Sequence, residues 1–376
     1  MKRLAAPIIS IITFVLILLL ASWTGAARGG FRIDEAHKIS ESAFFPLWLH
    51  PSDPAWTANI TDRSNPPVGK YLFGLAIVLS GQRVPPLPTL SIYAGDGLVP
   101  PLFSAELSRP YAHFLPATRE VAIICTALVG AIIAWCATRI GGPIAAAIAV
   151  TLFLTNFLTL TYGATAIFDP ILTLFATALL AMASVSAKTR MRFVVLMAAV
   201  GVVGALAFQT RLNGLLFFAV TFVVLMTRPD RIIGAAVATI AFLIVTLAVN
   251  PYYWPNPITR FRDQVGDLGV LLSRAGGHLT TLGAKSEYSF QVVCGDIAGL
   301  LLLFAATAGV ATLIVRWRTL PERDRLIGVW SLITVVAFVI WMPVPVPRYL
   351  LVTVPPLCCL AAIGYTGAVA LVKAAK

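Results

Sequence analysis

Residues 7–26, "PIISIITFVLILLLASWTGA", carry no charged side chain over a length that matches the hydrocarbon layer of a bilayer, about 30 Å thick. Nine further stretches behave alike, at roughly 119–138, 142–161, 168–187, 193–209, 212–227, 232–249, 296–315, 326–342 and 349–372. With 59% hydrophobic and 12% charged residues, the 376-residue chain has more apolar surface than a water-soluble domain can bury, so lipid is its main solvent. The expected fold is an all-α polytopic membrane protein of about ten transmembrane helices, forming a single unit over 1–376. A cleavable signal peptide is the alternative for the first stretch, because Lys2 and Arg3 precede it and "TGAA" closes it. The length of the apolar run favours a retained span.

A net charge of +12 brings nucleic acid to mind, but basic residues of membrane proteins gather in cytoplasmic loops and set orientation. With a cytoplasmic N-terminus, alternation of the spans places 14 Lys and Arg but only Asp230, Glu322 and Asp324 inside. The other face then holds 14 basic and 13 acidic residues, so the asymmetry lies on one side and needs no nucleic-acid partner. Both termini are expected in the cytoplasm. Two long segments, 27–118 and 250–295, fall on the extracytoplasmic face and hold most of the polar chemistry. Within the first, "YLFGLAIVLSG" is too short to span and is expected to lie in the interface or re-enter. In the second, Ile258, Phe261, Val265, Leu268 and Leu272 recur at helical spacing, the pattern of an amphipathic surface helix.

Several chemistries lack support. There is no internal repeat, phosphate-binding glycine loop, dinucleotide fingerprint or HExxH pair. Four of the five cysteines (Cys125, Cys136, Cys358, Cys359) sit in apolar runs and Cys294 stands apart, so all read as small core residues rather than ligands or disulfides. His50, His113 and His278 are isolated and read as ordinary loop residues. "NIT" at 59–61 matches a glycosylation sequon that also arises by chance.

Acidic residues at the extracytoplasmic boundary are the informative ones. Asp34 and Glu35, in "FRIDEAHKIS", follow the first span directly; Asp169, in "AIFDPILTLF", opens the fourth, where an N-cap role is equally consistent with the following Pro170. A solvated helix start is the plain alternative for the doublet. At the same level stand Lys70, Arg119, Arg211 and Arg348. Ionisable groups at this depth are costly unless they face a polar cavity. Arginine binds phosphate through paired hydrogen bonds, so the set suits a phosphate, whereas snorkelling to lipid headgroups accounts for any one member alone.

The order "IDEAH", "NPPVGKYLFGLAIVLSG", "TREVAIICTALVG", "AIFDPILTLF", "TRLNGLLFF", "NPYYWPNP" and "PRYLLVTVPPL" resembles the membrane-embedded GT-C glycosyltransferases. The similarity is to the branch that contains protein O-mannosyltransferases and lipid A aminoarabinose transferases, and it runs over nearly the whole chain. The resemblance implies a bacterial inner-membrane enzyme that moves a sugar from a polyprenyl-phosphate donor to a hydroxyl-bearing acceptor, with inversion. It implies Asp34 as catalytic base, Glu35 beside it, and Asp169 as the acid of a second family element. Pro66, Pro67, Gly69 and Lys70 would shape the donor pocket, with Arg119, Arg211, Arg348 and Tyr349 toward the phosphate. If the reaction takes Mg²⁺ or Mn²⁺, Asp34 and Glu35 would hold it, though two adjacent acids make a thin ligand set. Three features depart from the family pattern: Asn65 replaces the usual His or Lys, "YGATAIFD" lacks a preceding Ser-Arg, and no soluble domain is appended. A transporter or flippase of lipid-linked sugars, or a non-catalytic membrane subunit, is the competing class. The former calls for mid-span polar residues and two related halves, which this sequence lacks.

Overall fold

The computed structural model describes every residue except 1, 33, 59–64, 88–107, 188, 228–229, 275–278, 343 and 376. The sequon at 59–61 and His278 therefore lie outside the described residues. Those residues are helical throughout, with no strand among them. The helices are α1 (Lys2–Trp23), α2 (Glu35–Ser40), α3 (Ala55–Ala58), α4 (Val68–Leu79), α5 (Leu115–Thr155), α6 (Phe157–Tyr162), α7 (Asp169–Ala183) and α8 (Arg190–Phe208). They continue as α9 (Gly214–Leu225), α10 (Arg231–Val249), α11 (Pro257–Arg274), α12 (Leu282–Val293), α13 (Ile297–Val315), α14 (Glu322–Trp341) and α15 (Val354–Ala374). Four-residue α3 and the 3₁₀ segments Glu41–Leu49, Arg109–Phe114 and Pro347–Thr353 connect the larger elements.

Seven helical runs are long and apolar enough to cross a membrane by length and composition, and one of them, α5, covers two of the ten expected stretches. The stretches at 119–138 and 142–161 are two helical segments that meet at Gly142, whose φ of 80° and ψ of −167° are not helical, and Pro143 removes the next amide donor. The stretches at 168–187 and 212–227 shrink to the 15 residues of α7 and the 12 of α9. At 1.5 Å per residue, helices of that length reach only about 18–23 Å, too little for the hydrocarbon layer. Instead α7 sits in the protein interior, with Ile171, Leu172, Leu179 and Leu180 buried.

Apolar side chains divide between core and lipid. Ile11, Leu19, Ile244 and Phe304 point outward and are more than half exposed, as a bilayer solvent allows. Helix α1 packs along α5: a Cβ on Gly130 would lie 2.4 Å from Ile17. Helices α13 and α15 approach most closely where Gly309 faces the Leu360 carbonyl, a crossing that any side chain would block. All five cysteines are buried and free, consistent with their reading as core residues. His50 is an exposed loop residue, as expected, and His113 is exposed within the 3₁₀ segment Arg109–Phe114. Helix α11 presents Ile258, Phe261 and Val265 outward, the amphipathic face expected of it.

Candidate active site

The two adjacent carboxylates leave the chain toward different partners. Asp34 lies in the left-handed region (φ 63°), a conformation aspartate tolerates better than most residues, and α2 starts immediately after it.

Glu35 is fully buried. Its Oε1 accepts from Arg119 Nε and from the Ala166 amide, each at 2.7 Å. Its Oε2 accepts from Arg119 Nη2 at 2.7 Å and from the Arg32 amide at 2.5 Å. Arg119 spends its remaining N–H groups on the carbonyls of Ala26, Gly29 and Gly30, so each guanidinium donor meets an acceptor. The structure thus joins Arg119, expected toward the phosphate, to Glu35, expected beside the base. They saturate one another and brace the α1–α2 connection against α5 and the segment leading into α7.

Asp34 Oδ2 instead pairs with Arg348 Nη2, and both side chains keep some exposure, 15% and 13%. Arg348 is carried by the 3₁₀ segment ahead of α15, and its Nε lies 3.8 Å from Asp169 Oδ2. Asp169 is the first residue of α7, but its side chain makes no cap. It accepts from Arg211 Nη2 at 2.9 Å. The rings and charges then interleave: the Arg211 and Arg348 guanidiniums sit 4.9 and 5.5 Å from the Tyr349 ring centroid. The Nε atoms of both arginines are buried without a hydrogen-bond partner, so each has a donor to spare. Burial disfavours the Asp34 carboxylate, yet Arg348, with Lys38, His37 and Arg211 behind it, holds its pKa below the usual carboxylate range.

A second buried cluster adjoins the first through Lys38 and His37. Glu41 Oε1 lies 2.8 Å from Lys38 Nζ, 2.7 Å from His37 Nε2 and 2.9 Å from Asn65 Nδ2. Burial opposes ionisation of Glu41, and Lys38, the His37 hydrogen bond and Lys70 overcome it, lowering its pKa. Lys70, only 1% exposed, caps the Phe44 ring at 4.4 Å. The preceding residues hold it there: Pro67 leads into α4, the Val68 amide donates to the Gln209 carbonyl at 2.9 Å, and Gly69 lies flat against Phe168.

Beside these charges opens a small cleft, lined by Asn65, Pro66, Arg211, Asn213, Trp341 and Tyr349 among others.

Over 95% of its length this backbone follows crystal structures of ArnT from Cupriavidus metallidurans, in the apo state at TM-score 0.64 and 16% identity, and bound to undecaprenyl phosphate at 0.62 and 17%. The chain has the ArnT fold. ArnT is a lipid A aminoarabinose transferase of the GT-C class, the branch whose motif order the sequence resembles. The chain spans 59–60% of the length of those ArnT chains. No protein-family model matches the sequence, and no curated protein does.

Within the ArnT fold, Asp34, Asp169, Arg211, Arg348 and Tyr349 converge from four separate parts of the chain. Pro66 reaches the cleft wall, Pro67 and Lys70 stand behind it, and Glu35 and Arg119 stand apart as the brace. Both Glu35 oxygens face Arg119, and the paired Asp34 oxygen faces Arg348. Among the described residues no group of three acidic, His or Cys side chains converges as a cation site. Sequence reasoning missed Glu41 as the hub of the second cluster, and missed Asn213 and Trp341. The hub had a signal: His37 and Lys38 precede Glu41 by four and three residues, the spacing of one helical turn.

Proposed function

We propose that this chain is an integral-membrane glycosyltransferase that moves a sugar from a polyprenyl phosphate to a hydroxyl acceptor at the extracytoplasmic face of a bacterial inner membrane, with inversion. The observation that carries the reading is the sharing of Arg348 between Asp34 and Asp169 at the edge of an open cleft, with Arg211 and Tyr349 completing the cationic wall. The undecaprenyl phosphate bound to ArnT supports a polyprenyl-linked donor. The excess of basic residues at the other face supports cytoplasmic termini.

In this reading the acceptor oxygen attacks the anomeric carbon from the side opposite the phosphate, and Asp34 takes its proton. The bond from the anomeric carbon to the phosphate oxygen breaks as the new one forms. The departing polyprenyl monophosphate gathers negative charge, which Arg348 and Arg211 meet with donors they already hold free. A donor phosphate competes with Asp34 for Arg348. Once that guanidinium turns to phosphate, burial is opposed less strongly and the carboxylate becomes a stronger base.

Asp34→Asn tests this in purified, reconstituted protein supplied with a polyprenyl-phosphate sugar. Transfer falls by about 10²–10⁴-fold, the range for a lost general base, while donor binding persists. Unchanged turnover refutes Asp34 as the base. Lipid translocation without transfer in the unaltered protein replaces this reading with a flippase.

A further inference from the structure

We infer that the arginines gathered around Gly142, at the end of the bundle away from the cleft, bind the phosphate of an anionic phospholipid headgroup. The inference concerns the other end of the molecule and does not rest on the transferase reading.

Helix length places the group. Arg119, the brace at the site end, and Arg139 stand twenty residues apart on one helical run of α5. At 1.5 Å per residue that is about 30 Å, the thickness of the hydrocarbon layer, so Arg139 reaches the headgroup level of the opposite leaflet.

Basic loops alone set orientation. Here the charges come from separate helices and are drawn together by contacts. Arg323, in the first turn of α14, donates from Nη2 to the Arg139 carbonyl. Arg316, the C-cap of α13, donates from Nη1 to the Thr366 carbonyl of α15 at 3.5 Å. Gly141 joins the two contacts, because a Cβ there would lie 2.8 Å from the Thr366 side chain. Two arginines also lie over indoles, Arg139 at 4.4 Å from the Trp135 centroid and Arg325 at 5.5 Å from that of Trp317.

The nearby acids leave much of this charge unmet. Asp324 is buried and takes Arg323 at 2.9 Å, while Glu322 is exposed at the start of α14. Among the described residues the Arg139 guanidinium meets the Trp135 ring but no hydrogen-bond acceptor, so its donors stay available. A phosphodiester supplies the missing anion: guanidinium binds phosphate through paired hydrogen bonds, and basic pockets between helices at the membrane edge hold anionic headgroups. The surroundings suit the rest of a phospholipid. Ile314 and Val315, the last residues of α13, are 71% and 83% exposed and offer acyl chains an apolar track beside Arg316. Trp317 is 42% exposed, and indoles favour the level of the headgroups.

The test is an equilibrium titration of the full chain in neutral detergent with tail-labelled lipids, read by fluorescence anisotropy. Phosphatidylglycerol binds severalfold more tightly than phosphatidylethanolamine, and its affinity falls as salt rises. Inorganic phosphate at the same concentration does not displace it, which separates a lipid site from a free-phosphate site. Arg139→Gln weakens phosphatidylglycerol binding about fivefold, the worth of one basic side chain against an anionic lipid surface, and Arg139→Lys weakens it less. The unfolding midpoint without lipid shows whether each variant is folded; if Arg139→Gln is not, the comparison of the two lipids on the unaltered protein decides alone. Equal affinity for the two lipids, displacement by inorganic phosphate, or an unchanged affinity in folded Arg139→Gln overturns the inference.

Discussion

Exchanging Glu35 for Gln separates two neighbouring carboxylates that the sequence presents as a pair. In the native protein Glu35, itself without exposure, accepts from two Arg119 nitrogens and from the Ala166 and Arg32 amides. An amide in its place keeps the shape, loses the charge and turns an NH₂ group toward donors. Arg119 then remains buried with carbonyls alone around it. Breaking one side of a buried pair costs about 3–5 kcal/mol, a factor of roughly 10²–10³ or more in the folded population. Asp34→Asn, at a partly exposed site, removes far less. The assay is denaturant titration of both variants in one detergent, followed by tryptophan fluorescence, with transfer measured on the folded fraction. The expected pattern is a destabilised but chemically competent Glu35→Gln and a stable but inactive Asp34→Asn. A Glu35→Gln protein of native stability that has lost turnover per folded molecule refutes the division of labour.

Arg348→Ala raises the donor KM or lowers kcat by about 10²–10³-fold, the worth of one charge-stabilising donor. It also moves the acid limb of kcat/KM upward, because Arg348 is the strongest influence holding the Asp34 pKa below the usual carboxylate range and burial alone raises it. In the unaltered protein that limb lies below the ordinary aspartate value, and any stability from Asp34 ionisation is present above that value and lost only as pH falls further; an unmoved limb in the variant refutes the pairing. Gly69→Ala places a Cβ 2.4 Å from the Phe168 ring, next to Asp169, and lowers transfer at least tenfold with membrane insertion intact, as turnover and expression in one preparation show. Single cysteines near 53 and 280 react with an impermeant reagent from outside and those near 190 and 320 from inside, measured in a background of five buried native cysteines; reversed labelling refutes the topology.

The fold class was legible because lipid imposes a length on apolar segments, and ten such segments leave little choice. Helix length was less legible, because apolarity alone does not fix where a helix stops: α7 and α9 are as apolar as the longer helices yet run for only 15 and 12 residues. The ends of those helices explain much of the site. Asp169 opens α7 and Asn213 precedes α9, so short inner helices deliver polar residues to a depth where they meet Arg348. Asp34, Asp169, Arg211 and Arg348 were identifiable from type and topological level. What spacing does not encode is pairing. Nothing in "DEAHKISE" tells which acid faces Arg119 and which faces Arg348, since that depends on the left-handed turn at Asp34 and on contacts more than eighty residues away.

That turn narrows what a saturation scan at position 34 can report. At φ 63° most side chains bring strain of roughly 1–2 kcal/mol, while Gly and Asn accept the geometry. A valine or leucine there therefore mixes a conformational fault with a chemical one. Glycine and asparagine isolate the chemistry, and a glutamate, although it restores a carboxylate, sets it one methylene too far along a backbone it fits poorly.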